Sequence, residues 1–143
     1  MNYKQVYKKI IDWYTSAETP CVGEYDNKIG FTDGCLVYLV PKEECPFDVN
    51  VFKSFDLGAA LGASHSDLKL TDTGLIKEYR KDKLKVFSRP DETKTYINQK
   101  YLTCFKDCEL FQVSELAPIF IYKNCDLKGV VLPVRLPEEG LYA

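Results

Sequence analysis

Six cysteines and a single histidine are the side chains of this 143-residue chain best suited to nucleophilic or metal chemistry. Cys21, Cys35 and Cys45 stand ten or more residues apart. Cys104 and Cys108 lie four apart with no Cys-x-x-Cys beside them, so the spacing of a structural zinc site is missing. With no leader sequence to suggest an oxidising compartment, the cysteines read as reduced, mostly buried thiols. His65 lies in Ala63-Ser64-His65-Ser66-Asp67, a polar run of loop character, and no local motif joins it to a thiol. The acidic pairs Glu43-Glu44 and Glu138-Glu139 are adjacent rather than spread across a cleft, which is the pattern of solvated charge. Gly58 and Gly62 form neither a GxGxxG run nor a Walker lysine motif, so phosphate cradling has no support. These residues point away from an enzyme, and no metal or cofactor is expected.

The elements that would position any site belong to an ordinary globular chain. Hydrophobic residues make up 45% and charged residues 28%, which argues against wholesale disorder. A net charge of -2 argues against a dedicated, strongly basic nucleic-acid binder. No apolar run reaches the ~18–20 residues that a membrane span needs, and the N-terminus lacks the apolar core of a signal peptide. A cytoplasmic, single-domain protein covering residues 1–143 is the expectation.

Tyr3, Val6, Tyr7, Ile10, Ile11, Trp13 and Tyr14 recur at helical spacing, predicting an amphipathic helix over 3–17. Residues 21–26 and 28–40 predict a hairpin turning at Asp26-Asn27, with Thr32-Asp33-Gly34 as a bulge or bend in the second strand. Residues 41–66 read as an irregular insertion. Short strands are predicted at Leu75 to Tyr79 and Leu84 to Phe87, with Thr71 to Gly74 as a turn. Asn98 is expected to cap a second helix over about 99–106. Strands follow at 110–113, 119–122 and 129–136. The last carries Pro133, which suits a sheet edge because proline cannot donate to a ladder. The predicted class is α+β, two helices packed on antiparallel sheet.

Three pieces of this order resemble the bacterial DNA polymerase processivity clamp, the β sliding clamp. Lys28-Ile29-Gly30-Phe31-Thr32-Asp33-Gly34-Cys35-Leu36 is similar to the family's TDG-bearing strand. Tyr96-Ile97-Asn98-Gln99-Lys100-Tyr101-Leu102 resembles the start of a clamp domain's second helix. Ala117-Pro118-Ile119-Phe120-Ile121 with Val130-Val131-Leu132-Pro133-Val134-Arg135-Leu136 resembles its closing strands. The family has histidine and arginine after TDG, where this chain has Cys35 and Leu36.

The resemblance implies a single DNA-clamp-like domain and a non-enzymatic accessory role in DNA metabolism, of phage or mobile-element type. It implies a pocket for a protein or short-peptide partner lined by Thr32, Gly34, Val37, Val130, Leu132, Pro133, Val134 and Arg135, used through an open C-terminal strand edge. In the clamp these two motifs sit on neighbouring domains, so here either a pocket is expected only between copies in a homo-oligomer or the fold persists without the ring. Lys4, Lys8 and Lys9, with Lys100 and Lys106, would face DNA weakly and in a salt-sensitive way. Residues 77–100 add a basic bias of eight Lys/Arg against four Asp/Glu. The alternative is an interaction or inhibitor protein that binds a host protein with no ring and no DNA role. Aromatic richness, at ten Tyr, eight Phe and one Trp, supports that reading.

Overall fold

Tyr3–Thr15 forms helix α1, as its three- and four-residue apolar spacing requires. Val6 and Ile10 are fully buried on its inner side, and Lys4, Lys8 and Lys9 lie exposed. The structure is a computed structural model that describes residues 3–16, 20–58, 68–114 and 116–136. The small-residue run after Gly58, His65 and the acidic tail 137–143 lie outside the described residues.

Among the described residues ten strands follow the helix: β1 Cys21–Tyr25, β2 Lys28–Thr32, β3 Leu36–Pro41, β4 Lys53–Ser54, β5 Thr71–Tyr79, β6 Asp82–Ser88, β7 Lys94–Asn98, β8 Glu109–Phe111, β9 Ile119–Lys123 and β10 Asp126–Val131. They make a seven-stranded sheet of order β4-β1-β2-β3-β10-β9-β8 and a three-stranded sheet β5-β6-β7. All pairings are antiparallel except the short β1–β4 contact. The class is α+β. The turn between β1 and β2 is made by Asp26 and Asn27 at φ +48 and +62, the left-handed pair whose twist matches a tight hairpin.

Alternation along the central strands gives the large sheet two apolar faces. Leu36, Tyr38 and Val40 face α1 together with Phe31, Ile119, Ile121 and Val131, and Leu70, Phe87 and Ile97 join them in one core. Tyr38 stacks between Trp13 and Phe105, at ring separations of 5.3 and 5.5 Å. Leu39, Phe120, Leu127 and Val130 form a second cluster with Leu57. Leu57 sits against Gly23 and Gly30, where any Cβ would collide with it.

Four expectations are corrected. Among the described residues there is one α-helix, not two. Asn98 does cap, its Oδ1 accepting from the Lys100 amide at 3.2 Å, but only the 3₁₀ turn Gln99–Leu102 follows. Cys104 and Phe105 are drawn into the core, and Asp107 takes a left-handed φ of +57, which a continuing helix would not permit. Thr32-Asp33-Gly34 is not a bend within one strand but the reversal between β2 and β3, with Thr32 opposite Val37. Thr71 to Gly74 belongs to β5, and Gly74 marks a bulge there rather than a turn.

The fourth correction concerns the C-terminus. β10 is interior, flanked by β3 and β9, so its edges are occupied. Beyond it the Leu132 amide donates to the Cys35 carbonyl at 2.9 Å, and the Val134 amide donates to the Tyr96 carbonyl at 2.7 Å. Pro133 stands between these two donors, where the chain leaves the large sheet for the small one. A residue without an N–H suits that switch, and no open edge is needed to explain it. Residues 41–58 hold two 3₁₀ turns, Lys42–Glu44 and Val49–Val51, and β4. No helix among the described residues is long and apolar enough to cross a membrane.

Asp126 lies between Lys28 and Lys128, whose Nζ also reaches the Tyr3 hydroxyl at 3.3 Å, tying β2, β10 and α1 together. The Lys128 ammonium, then that of Lys28, holds the Asp126 carboxyl below the usual carboxylate range. A carboxyl whose folded value is depressed stabilises the fold above its unfolded value, about 3.9, and loses that contribution as pH falls through the lower folded value. Asp126→Asn is therefore expected to melt below wild type at neutral pH. The gap should close as pH drops below about 4. Melting curves from pH 7 to pH 2.5 check this, and a gap that stays constant would refute it.

Candidate peptide-binding cavity

The register of the large sheet lays four side chains in a line across adjacent strands. Cys21 is opposite Thr32, Thr32 opposite Val37, and Val37 opposite Val130. Directly opposed residues share a face, so this row crosses β1, β2, β3 and β10 on the side away from α1. At about 4.8 Å per strand it runs roughly 14 Å. The row floors a cavity of about 420 Å³, walled by the Asp33-Gly34-Cys35-Leu36 turn, Phe55, Pro118 and Leu132. Leu132 is 42% exposed, an apolar side chain held at the rim.

The turn is rigid for reasons that the sequence supplies. Asp33 Oδ1 accepts from the Cys35 and Leu36 amides at 2.9 and 3.0 Å, and Thr32 Oγ1 accepts from the Gly34 amide at 3.0 Å. Gly34 sits at φ +102, a conformation that side-chain-bearing residues rarely adopt. Among the described residues, Asp33 is the single charged one lining the cavity. Burial, then the Cys35 thiol that it hydrogen-bonds, then Asp33 and Asp82 push the Tyr101 hydroxyl up, so it stays a neutral phenol beside the turn.

Of the residues chosen from sequence for a partner pocket, Thr32, Gly34, Val37, Val130 and Leu132 line this cavity. Pro133, Val134 and Arg135 do not, because the chain turns toward β7 after Leu132. Both motifs meet within one chain, so the cavity is complete without a second copy. Cys21, Asp33, Cys35, Leu36, Phe55 and Pro118 were missed as lining residues. Cys21 was legible in principle, since the Asp26-Asn27 hairpin register puts it opposite Thr32. Phe55 and Pro118 carry no local signal.

The lysines proposed to face DNA are scattered over several elements. Lys4, Lys8 and Lys9 are on α1, and Lys100 lies 5.3 Å from the Tyr101 ring centroid. Lys106 lines a different cavity, of about 460 Å³, with Lys69, Lys85, Asp72, Asp107 and Glu109. There Lys69 pairs with Glu109 at 3.0 Å and Lys85 with Asp72 at 2.9 Å. Arg89, part of the basic bias at 77–100, is buried rather than exposed. Among the described residues no three His, Cys, Asp or Glu side chains are grouped to hold a metal ion.

No family model, curated protein or solved structure matches the chain.

Proposed function

We propose that this chain is a non-enzymatic accessory protein of DNA metabolism that holds a protein partner by a short apolar segment seated in the β1–β2–β3–β10 cavity. The observation that supports this reading is the cross-strand row from Cys21 to Val130, which brings both clamp-like motifs to one cavity. A concave, apolar-floored site with one charged group at its rim suits the anchoring side chains of a peptide. The likeness to the sliding clamp enters through these motifs rather than through paired helices, and the site needs no ring.

Leu132→Asp tests the reading, since it places a charge on an exposed rim side chain at little cost to the core. Pull-down of partners with Leu132→Asp should recover at least about tenfold less of a bound protein than wild type, because a carboxylate replaces an apolar contact at the cavity rim. Ile11→Ser, on exposed α1 surface, should leave recovery unchanged. Equal recovery by wild type and Leu132→Asp would exclude this cavity as the docking site. The second reading, a protein that binds a host protein without a DNA role, is favoured by the acids paired with Lys69 and Lys85. Band shifts on duplex DNA at 50 and 200 mM salt separate the two, because phosphate-directed binding weakens steeply over that range.

A further inference from the structure

We propose that the segment taken by this cavity is cationic beside its apolar anchor: a large aliphatic or aromatic side chain next to a Lys or Arg. The inference rests on the docking reading above and goes further by naming the partner's chemistry. β1, β2, β3 and β10 each have a hydrogen-bonded strand on both sides. A ligand here has no free edge to extend, so it binds side chain first rather than as an added strand. At about 420 Å³ the cavity is at the small end of ligand-sized sites, suited to a few side chains rather than a folded surface.

The anchor's surroundings are apolar: Val37, Val130, Leu132, Pro118 and Phe55. The charge beside them is negative. Asp33 Oδ1 is engaged by two backbone amides of its own turn, which leaves Oδ2 for a ligand. Among the described residues no Lys or Arg pairs with Asp33. Arg135, the positive rim group that the sequence suggested, does not line the cavity. An anionic segment would meet Asp33 with no compensating charge, whereas a cationic one gains a rim ion pair.

Selection of a random heptapeptide phage library on the full chain, followed by fluorescence anisotropy on the selected peptides, tests this. The enriched peptides are expected to carry a large apolar residue within two positions of Lys or Arg. Replacing that cation by Glu should weaken binding by about three- to fivefold, the scale of an exposed ion pair. Asp33→Asn keeps an oxygen for the turn amides while removing the charge, so it should fold as wild type and erase the Lys-over-Glu preference. Leu132→Asp should abolish binding of every selected peptide. Enriched peptides that are acidic or indifferent to charge, yet lost with Leu132→Asp, would overturn the cationic inference and leave the docking reading standing. No enrichment, or enrichment unaffected by Leu132→Asp, would overturn both. A Lys preference that survives Asp33→Asn would also overturn the inference.

Discussion

Gly129→Val is expected to lower the melting temperature by about 10 °C, corresponding to about 3 kcal/mol, the upper range for overpacking a tight core. Gly129 lies on β10 opposite Tyr38, on the face that packs against α1. A Cβ built there would stand 2.6 Å from Phe105 Cζ and 2.6 Å from the Val37 carbonyl oxygen. The Phe105 ring is held in turn by its stack on Tyr38, itself 1% exposed, so it has nowhere to retreat. The Val37 carbonyl is backbone in the neighbouring strand and cannot move without breaking the β3–β10 pairing that aligns Val37 with Val130. Gly129→Ala should therefore cost nearly as much as the valine. Pairing Gly129→Ala with Phe105→Leu should restore only part of the loss, because the carbonyl remains. Thermal denaturation of the three variants checks this, and a Gly129→Val protein melting within about 2 °C of wild type would show that the strands are not so closely packed.

Gln112→Leu is expected to cost about 3 kcal/mol, again near 10 °C in melting temperature, by taking a buried acceptor from the Arg89 guanidinium and a buried donor from the Ala117 carbonyl. Gln112 has no exposed surface, and Arg89 retains 6%. Arg89 Nη1 donates to Gln112 Oε1 at 3.0 Å, and its Nε lies 3.6 Å from the Asp91 carboxylate. Gln112 Nε2 donates to Thr95 Oγ1 at 3.3 Å and to the Ala117 carbonyl at 3.0 Å. The amide thus links the small sheet to the segment leading into β9, and through Ala117 it fixes Pro118 at the cavity wall. Leucine fills the space but satisfies none of these groups; Arg89 keeps the Asp91 carboxylate and the Val113 carbonyl but loses its closest acceptor. Adding Arg89→Met to Gln112→Leu removes both sides of the interaction and should recover more than half the loss. A double-mutant cycle measures the coupling, and strictly additive losses would show that the two side chains do not act as a unit.

The variants also mark how far local sequence reached. The spacing of Val6, Ile10 and their neighbours determines α1 because helical amphipathicity is a property of a single short window. Asp26-Asn27 predicts its hairpin because left-handed backbone at two consecutive positions selects few residue types. Asn98 caps a turn for an equally local reason. Its continuation as a helix was not local, since the core claims Cys104 and Phe105 first. Asp72 and Gly74 are an instructive case: the same two residue types serve a turn or a bulge, and only the pairing of β5 with β6 chooses between them. The basic bias at 77–100 misled at Arg89, where charge count cannot tell a solvated guanidinium from one buried against Gln112.

Sequence alone determined the α+β class, the leading helix, the Asp26-Asn27 turn and the residue types that could floor an apolar site. Tertiary structure decided that these residues form one site. Val37 and Val130 are neighbours only because β10 inserts between β3 and β9, a pairing made across most of the chain's length. Phe55 and Pro118 become walls through the same long-range packing, and Asp33 replaces Arg135 as the charge at the rim because Leu132 and Val134 bond to different sheets. Periodicity and turn chemistry are written into a few consecutive residues. The meeting of distant strands depends on how two faces of one sheet are buried at once.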